Sequence, residues 1–156
     1  MEEISIVKAK ETADFEVAKG LFEAYANSLG FDLSFQSFDE ELANIKTVYS
    51  APNGGLLLVS LDGDYIGCVG VRKIGDGIGE LKRMYLKEEA RGKGLGRTLM
   101  EEAILLSREL NFTALRLDTL PSMKSAVGLY EKMGFEKIPP YRENPFSEAL
   151  FFELKL

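Results

Sequence analysis

Histidine is absent from the 156-residue chain. That excludes Ser-His-Asp and Cys-His arrangements and every histidine-based metal site. Acid–base chemistry then falls to Glu, Asp, Tyr, Lys or a water held by the backbone. Cysteine occurs once, as Cys68, so no internal disulfide can form, and a reducing cytoplasm is the expected location. Long apolar runs are missing too. Stretches such as residues 56–59 fall far short of the roughly 20 residues a membrane helix needs. The acidic start, Met1-Glu2-Glu3, does not read as a signal peptide. Basic charge is in deficit, with a net charge of −6, which suits neither nucleic acid nor an anionic membrane surface. The expectation is a protein with no metal, no nucleic acid and no membrane partner.

What is present is an ordinary globular composition, 46 % apolar and 28 % charged, in a length that suits one domain over residues 1–156. Ile4, Ile6 and Val7 suggest a first strand. Phe15, Ala18, Phe22, Tyr25 and Leu29 recur at helical spacing, and Gly30 stands where that helix would stop. Residues 39–48 suggest one further short helix. Residues 56–61 and 65–71 are rich in β-formers, with Asp62-Gly63 between them as a hairpin signal. A turn at residues 75–77 leads to a third run, 78–86. Leu95, Leu99, Ala103, Leu106 and Leu110 then mark an amphipathic helix. A strand is expected over 114–117, ending at Asp118-Thr119. A helix through Met123, Ala126, Val127, Tyr130 and Met133 ends at Gly134, and two closing strands fall at 135–138 and 149–154. The fold class is α/β (α+β): a mixed, mostly antiparallel twisted sheet of six to seven strands with helices on both faces.

The segment Arg91-Gly92-Lys93-Gly94-Leu95-Gly96-Arg97-Thr98 follows a strand and opens a helix. Glycines let backbone amides approach a ligand, and the first amides of a helix lack partners and favour negative charge. That combination suits a phosphate. A P-loop requires Lys after its second glycine, but Leu95 follows Gly94. A dinucleotide fingerprint requires a glycine at its sixth position, where Arg97 or Leu99 stands. Both of those readings fail.

The pattern Arg-x-x-Gly-x-Gly, here Arg91, Gly94 and Gly96, resembles the acetyl-coenzyme A signature of the GNAT N-acetyltransferase superfamily. Upstream, Glu80-Leu81-Lys82-Arg83-Met84-Tyr85-Leu86 resembles that family's fourth strand, and Asp118-Thr119 the end of its fifth. Downstream, Leu129-Tyr130-Glu131-Lys132-Met133-Gly134-Phe135 resembles its second signature. One departure is Met123, where many relatives carry an Asn that touches the pantetheine arm.

The resemblance implies a GNAT acyl-CoA N-acyltransferase fold. It also implies direct attack of a primary amine on acetyl-CoA in a ternary complex, with no metal. In that reading Glu80 is the candidate base, with an ion-pair role beside Lys82 or Arg83 as its alternative. Tyr130 is the acid that protonates the leaving thiolate. Met84, Tyr85 and Leu86 would bind the pantetheine arm through a β-bulge. Arg91, Gly92, Lys93, Gly94, Leu95, Gly96, Arg97 and Thr98 would hold the pyrophosphate. The acceptor, a small-molecule or peptide amine, would meet the loops at residues 30–38 and 139–147. Phe31, Phe35 and Tyr141 are its candidate contacts there, with Phe38 and Phe146 beside them and Asp32, Asp39 and Glu143 able to hold a cation. The resemblance leaves room for a homodimer. The alternative function is a non-catalytic acetyl-CoA sensor or interaction module of the same fold. Cys68, in a strand interior, reads as a core residue rather than a nucleophile.

Overall fold

The computed structural model describes residues 3–29 and 37–156. Seven strands form one sheet: β1 (Ile4–Lys8), β2 (Gly54–Leu61), β3 (Asp64–Gly75), β4 (Ile78–Leu86), β5 (Ala114–Thr119), β6 (Glu136–Lys137) and β7 (Leu150–Lys155). Their spatial order is β1-β2-β3-β4-β5-β7-β6. Only β4 and β5 run parallel; the other neighbours are antiparallel. The parallel pair is joined through helix α4 (Leu95–Glu109), as a parallel connection requires.

The β2–β3 hairpin turns at Asp62 and Gly63, both with positive φ (52° and 88°), the backbone a two-residue primed turn needs. Residues Leu56 and Leu58 of β2 face α1 (Thr12–Leu29), while Leu57 and Val59 face α4. Both faces of this strand are covered, and so its sequence is continuously apolar rather than alternating.

The α1 side of the sheet holds a core of Phe15, Ala18, Phe22, Ile45, Tyr49 and Cys68. The opposite side, under α4 and α5 (Lys124–Lys132), holds Leu99, Met100, Ala103, Leu115, Tyr130 and Phe152. Cys68 is fully buried and its thiol donates to the Arg83 carbonyl at 3.3 Å; burial pushes its pKa well up, so it remains a thiol.

Two expectations change in detail. Residues 39–48 form two short helices, α2 (Phe38–Ala43) and α3 (Ile45–Val48), because Asn44 leaves helical geometry (φ −113°, ψ 21°) between them. The strand expected over 135–138 shortens to the two residues of β6. Among the described residues no helix is long and apolar enough to cross a membrane.

Candidate active site

Three features of β4 and β5 create the site. The two strands pair only from Ile78 to Glu80 on β4 and from Ala114 to Arg116 on β5. Beyond those residues they splay apart, leaving backbone groups without a ladder partner.

The second feature is a bulge. Cys68 pairs with Tyr85 and Gly70 with Lys82, so Arg83 and Met84 together oppose Val69. Arg83 sits at φ 58°, a left-handed conformation that costs a non-glycine residue on the order of 1–2 kcal/mol. Its guanidinium is anchored by Glu41 of α2, with Nη2–Oε1 at 2.6 Å and Nε–Oε2 at 3.1 Å. Tyr49 Oη donates to the same carboxylate at 2.6 Å, and the Phe38 ring lies 5.1 Å beneath the guanidinium. Burial alone would raise the Glu41 carboxyl; the Arg83 contacts and the Tyr49 hydroxyl outweigh it and hold the group below its ordinary value. The bulge is therefore pinned from the α1 side by a buried, fully hydrogen-bonded ion pair.

The third feature is the glycine turn. Gly92 and Gly94 have φ of 77° and 73°, conformations that only glycine adopts without strain, and nothing stands where a Cβ would project from either. Gly94 caps α4 without any side-chain hydrogen bond. The first ladder bond of the helix is Thr98 N–H to the Gly94 carbonyl at 3.3 Å, which leaves the amides of Leu95, Gly96 and Arg97 ahead of the ladder. Arg91, Lys93 and Arg97 are exposed around the turn. Arg91 Nε reaches the Leu86 carbonyl (3.4 Å), and Arg97 pairs with Glu101 (3.0 Å).

From this turn a cleft of about 490 Å³ runs along Met84, Tyr85, Leu86, Gly96 and Leu129. It continues into a narrower space of about 120 Å³ between the splayed strands, bordered by Leu81, Arg83, Leu117 and Asp118. Tyr130 and Met123 border both spaces. The Tyr130 ring packs on Phe135 and Phe152, with centroids 5.9 and 6.2 Å away. Its hydroxyl has no hydrogen-bond partner among the described residues. Burial raises its pKa, so the phenol stays protonated. Met123 takes the place of the family's Asn, and its sulfur accepts from Thr119 Oγ1 at 3.6 Å.

Glu80 lies among cations. It is fully buried. Arg72 Nε and Nη2 each lie 3.1 Å from Oε1, and Lys82 Nζ lies 4.0 Å from the same atom. Tyr141 Oη donates to Oε2 at 2.8 Å, and Arg142 Nη2 pairs with Oε2. A carboxylate offers about four lone-pair sites, and four donors occupy them. Glu80 thus takes part in ion pairs with Arg72, Arg142 and Lys82, whereas Arg83 pairs with Glu41. Asp118 is the one carboxylate bordering the narrow space among the described residues. Asn144 Nδ2 donates to its Oδ2 at 3.2 Å, and its other oxygen has no partner among the described residues.

Of the acceptor candidates, Phe31, Phe35 and Asp32 lie outside the described residues. Tyr141 is held by Glu80 and by an edge contact with Phe151 (5.3 Å). Phe146 borders the narrow space, whereas Phe38 serves Arg83. Asp39 and Glu143 are exposed and border none of these spaces.

A sequence profile described as "Acetyltransferase (GNAT) family" matches residues 18–135. The chain belongs to that family. It is 38 % identical over 156 residues to an uncharacterized N-acetyltransferase of Schizosaccharomyces pombe, covering 98 % of this chain and 95 % of the relative. It is 30 % identical over 125 residues to the N-acetylaspartate synthetase of Danio rerio, covering 74 % of this chain and 44 % of that protein. Its fold matches the crystal structure of an acetyltransferase from Streptococcus agalactiae with a TM-score of 0.80 at 21 % identity, over 98 % of both chains. The chain is thus an acyltransferase enzyme, an N-acetyltransferase, and the mixed sheet expected from its sequence is the GNAT sheet.

Proposed function

We propose that the chain transfers the acetyl group of acetyl-CoA to a primary amine by direct attack in a ternary complex. The observation that carries this reading is the bulged, splayed β4–β5 cleft, which opens at one end on the glycine turn and contains Tyr130. The fit to an acyl-CoA rests on the open space at Gly92 and Gly94, the unladdered amides of Leu95, Gly96 and Arg97, and an apolar channel beside Met84, Tyr85 and Leu86. Acetyl-CoA supplies an activated thioester whose departing group is a thiolate.

Within the cleft the protein's own groups divide the work. The amides of Leu95, Gly96 and Arg97 and the cations Arg91, Lys93 and Arg97 receive the pyrophosphate, with Thr98 closing the turn through its ladder bond to Gly94. The backbone of Met84 and Leu86, which has no β5 ladder partner, receives the pantetheine amides and fixes the carbonyl. Tyr130, kept protonated by burial, donates to the thiolate. Asp118, with one free oxygen, accepts the proton of the incoming ammonium, because an amine of pKa ~10 is mostly charged at neutral pH. Glu80 is a positioning residue that holds Arg72, Arg142 and Tyr141. The lone buried Cys68 suits a reducing compartment, and the cytoplasm is the proposed location.

The test is coenzyme A binding together with thioester turnover. Coenzyme A at 100 times its Kd should stabilise the fold by about 2.7 kcal/mol, read as a rise in Tm. Acetyl-CoA should release free thiol only when an amine acceptor is present. A rise in Tm with no amine-dependent release across amino acids, polyamines, aminoglycosides and peptides would instead support the sensor alternative.

A further inference from the structure

On the α1 face of the sheet, beside the acetyl-transfer cleft, lies a second cavity of about 420 Å³. Arg72, Arg116 and Arg142 line it, with Tyr141, Ser37 and Ile78. No carboxylate lines it among the described residues. The acidic side chains that hold these arginines sit behind them: Glu80 under Arg72 and Arg142, and Glu153 under Arg116 (2.7 Å). Among the described residues, three guanidinium groups face two carboxylates, so the cluster carries at least one positive charge in excess there, in a chain whose net charge is −6.

The donors are also in excess. Each guanidinium has five N–H groups in a planar fork. Arg116 spends its Nε on Glu153 and stacks over the Tyr141 ring at 5.4 Å. Arg142 gives one Nη to Glu80 and lies 5.6 Å from the same ring, and its Nε is buried with no acceptor. A buried donor on a charged group with no partner among the described residues points to an acceptor supplied by a ligand. Tyr141 is oriented by its bond to Glu80, so the wall between the arginines is rigid.

We propose that this cavity is the anion subsite of the acceptor, and that the acceptor is a small amine carrying a carboxylate, of the acidic amino acid class. The inference rests on the acetyl-transfer reading above. Its geometry comes from β5. Arg116 and Asp118 alternate onto the same sheet face, because Leu115, Leu117 and Thr119 face the other way. They are two residues apart, about 7 Å along a strand. An amine at Asp118 and an anionic group at the arginines are therefore joined by a spacer of a few bonds. Polyamines and aminoglycosides bring cations to a place lined by cations. This reverses the sign of the acceptor site expected from Asp32, Asp39 and Glu143. The Danio rerio relative is named for an acetylated acidic amino acid, in keeping with the same chemistry.

The experiment is calorimetric titration of the full chain, with and without saturating coenzyme A. The ligands are L-aspartate and L-glutamate, their neutral amides L-asparagine and L-glutamine, and putrescine. At least one acid should bind at a single site, ten times or more tighter than its amide, with putrescine weakest. Arg142→Gln should weaken the acid by tenfold or more and bring the acid-to-amide ratio toward one. Arg142→Lys, which keeps the charge and loses the fork, should recover part of it. The proposal is overturned if neither acid binds, if an amide or putrescine binds as well as the acid, or if the preference survives in a folded Arg142→Gln protein. Because the wild-type comparison needs no variant, a variant that fails to fold leaves the test intact. Failure of the acetyl-transfer reading has its own signature, no binding of coenzyme A, and the acids are still scored on the chain alone.

Discussion

The two ends of the active cleft are built from opposite materials. At the coenzyme end, the glycine turn uses backbone: positive-φ glycines, free amides and exposed cations drawn from eight consecutive residues. At the proposed acceptor end, Arg72, Glu80, Arg116, Tyr141 and Arg142 come from three strands and a loop, and they are buried or half-buried among each other. In the proposed reading the backbone end takes the pyrophosphate that all acyl-CoA donors share, which needs only local conformation. A side-chain site reads what differs between acceptors, and needs the sheet to bring distant residues together.

Substitutions at the middle and at each end sharpen this contrast. The largest effect is expected where the ends meet. Tyr130→Phe keeps the ring against Phe135 and Phe152 and removes only the proton donor. Turnover should fall 10²–10⁴-fold with little change in KM for acetyl-CoA. The loss should shrink for an acyl donor with a less basic thiol; a loss independent of the leaving group would remove the acid role.

Two carboxylates on the same sheet face should then separate by pH. Asp118→Asn should lower turnover about 10²-fold at neutral pH and recover as the pH rises, since more of the amine is already neutral. Glu80→Gln should raise the acceptor KM on the order of tenfold with no such recovery, because it loosens Arg72 and Arg142 without touching the proton. A recovery in Glu80→Gln and none in Asp118→Asn would exchange the two roles.

Lys82 links the acceptor end to stability. Burial foremost, then the neighbouring Arg83 charge, lowers its pKa from 10.5 to about 7, although Glu80 opposes them. A lysine whose folded pKa is depressed binds fewer protons folded than unfolded between those values, so its contribution to stability rises with pH there. Wild type should therefore gain on Lys82→Met by about 1 kcal/mol per pH unit between pH 7 and 10, and the two should run parallel below pH 6. Urea unfolding across this range measures it; parallel curves throughout would mean an ordinary lysine.

The smallest effect belongs to the backbone end. Gly94→Ala forces a side chain into φ 73°, costing on the order of 1–2 kcal/mol of stability, with a matching loss of coenzyme A affinity if the turn relaxes. Gly96→Ala should be milder, since Gly96 has no positive φ and its Cβ would make only ordinary contact with Leu129 at 3.7 Å. Equal effects at the two positions would point to crowding of the phosphate rather than strain.

Sequence alone determined the parts of this protein that depend on near neighbours. The helical spacing from Phe15 to Leu29, the Asp62-Gly63 hairpin, the glycine turn and the helix it opens all express short-range rules of period and conformation. For the same reason the conformation of the glycine turn and the helix that carries Tyr130 were legible in the sequence. Asp118 appeared only as the end of a strand, because alternation shows which residues share a face but not which face borders the cleft. The break at Asn44 was hidden because two short helices and one longer helix share the same apolar spacing. Only the tertiary structure decided the charge logic of the acceptor end. Glu80 lies two residues from Lys82 and keeps it as a partner at 4.0 Å, yet its hydrogen bonds go to Arg72, Tyr141 and Arg142, at separations of 8, 61 and 62 residues. Arg83 in turn belongs to Glu41, 42 residues away. Coulomb attraction and hydrogen bonding act through space, and burial multiplies both; the partner of a buried charge is therefore settled by sheet register, which no local pattern of residues encodes.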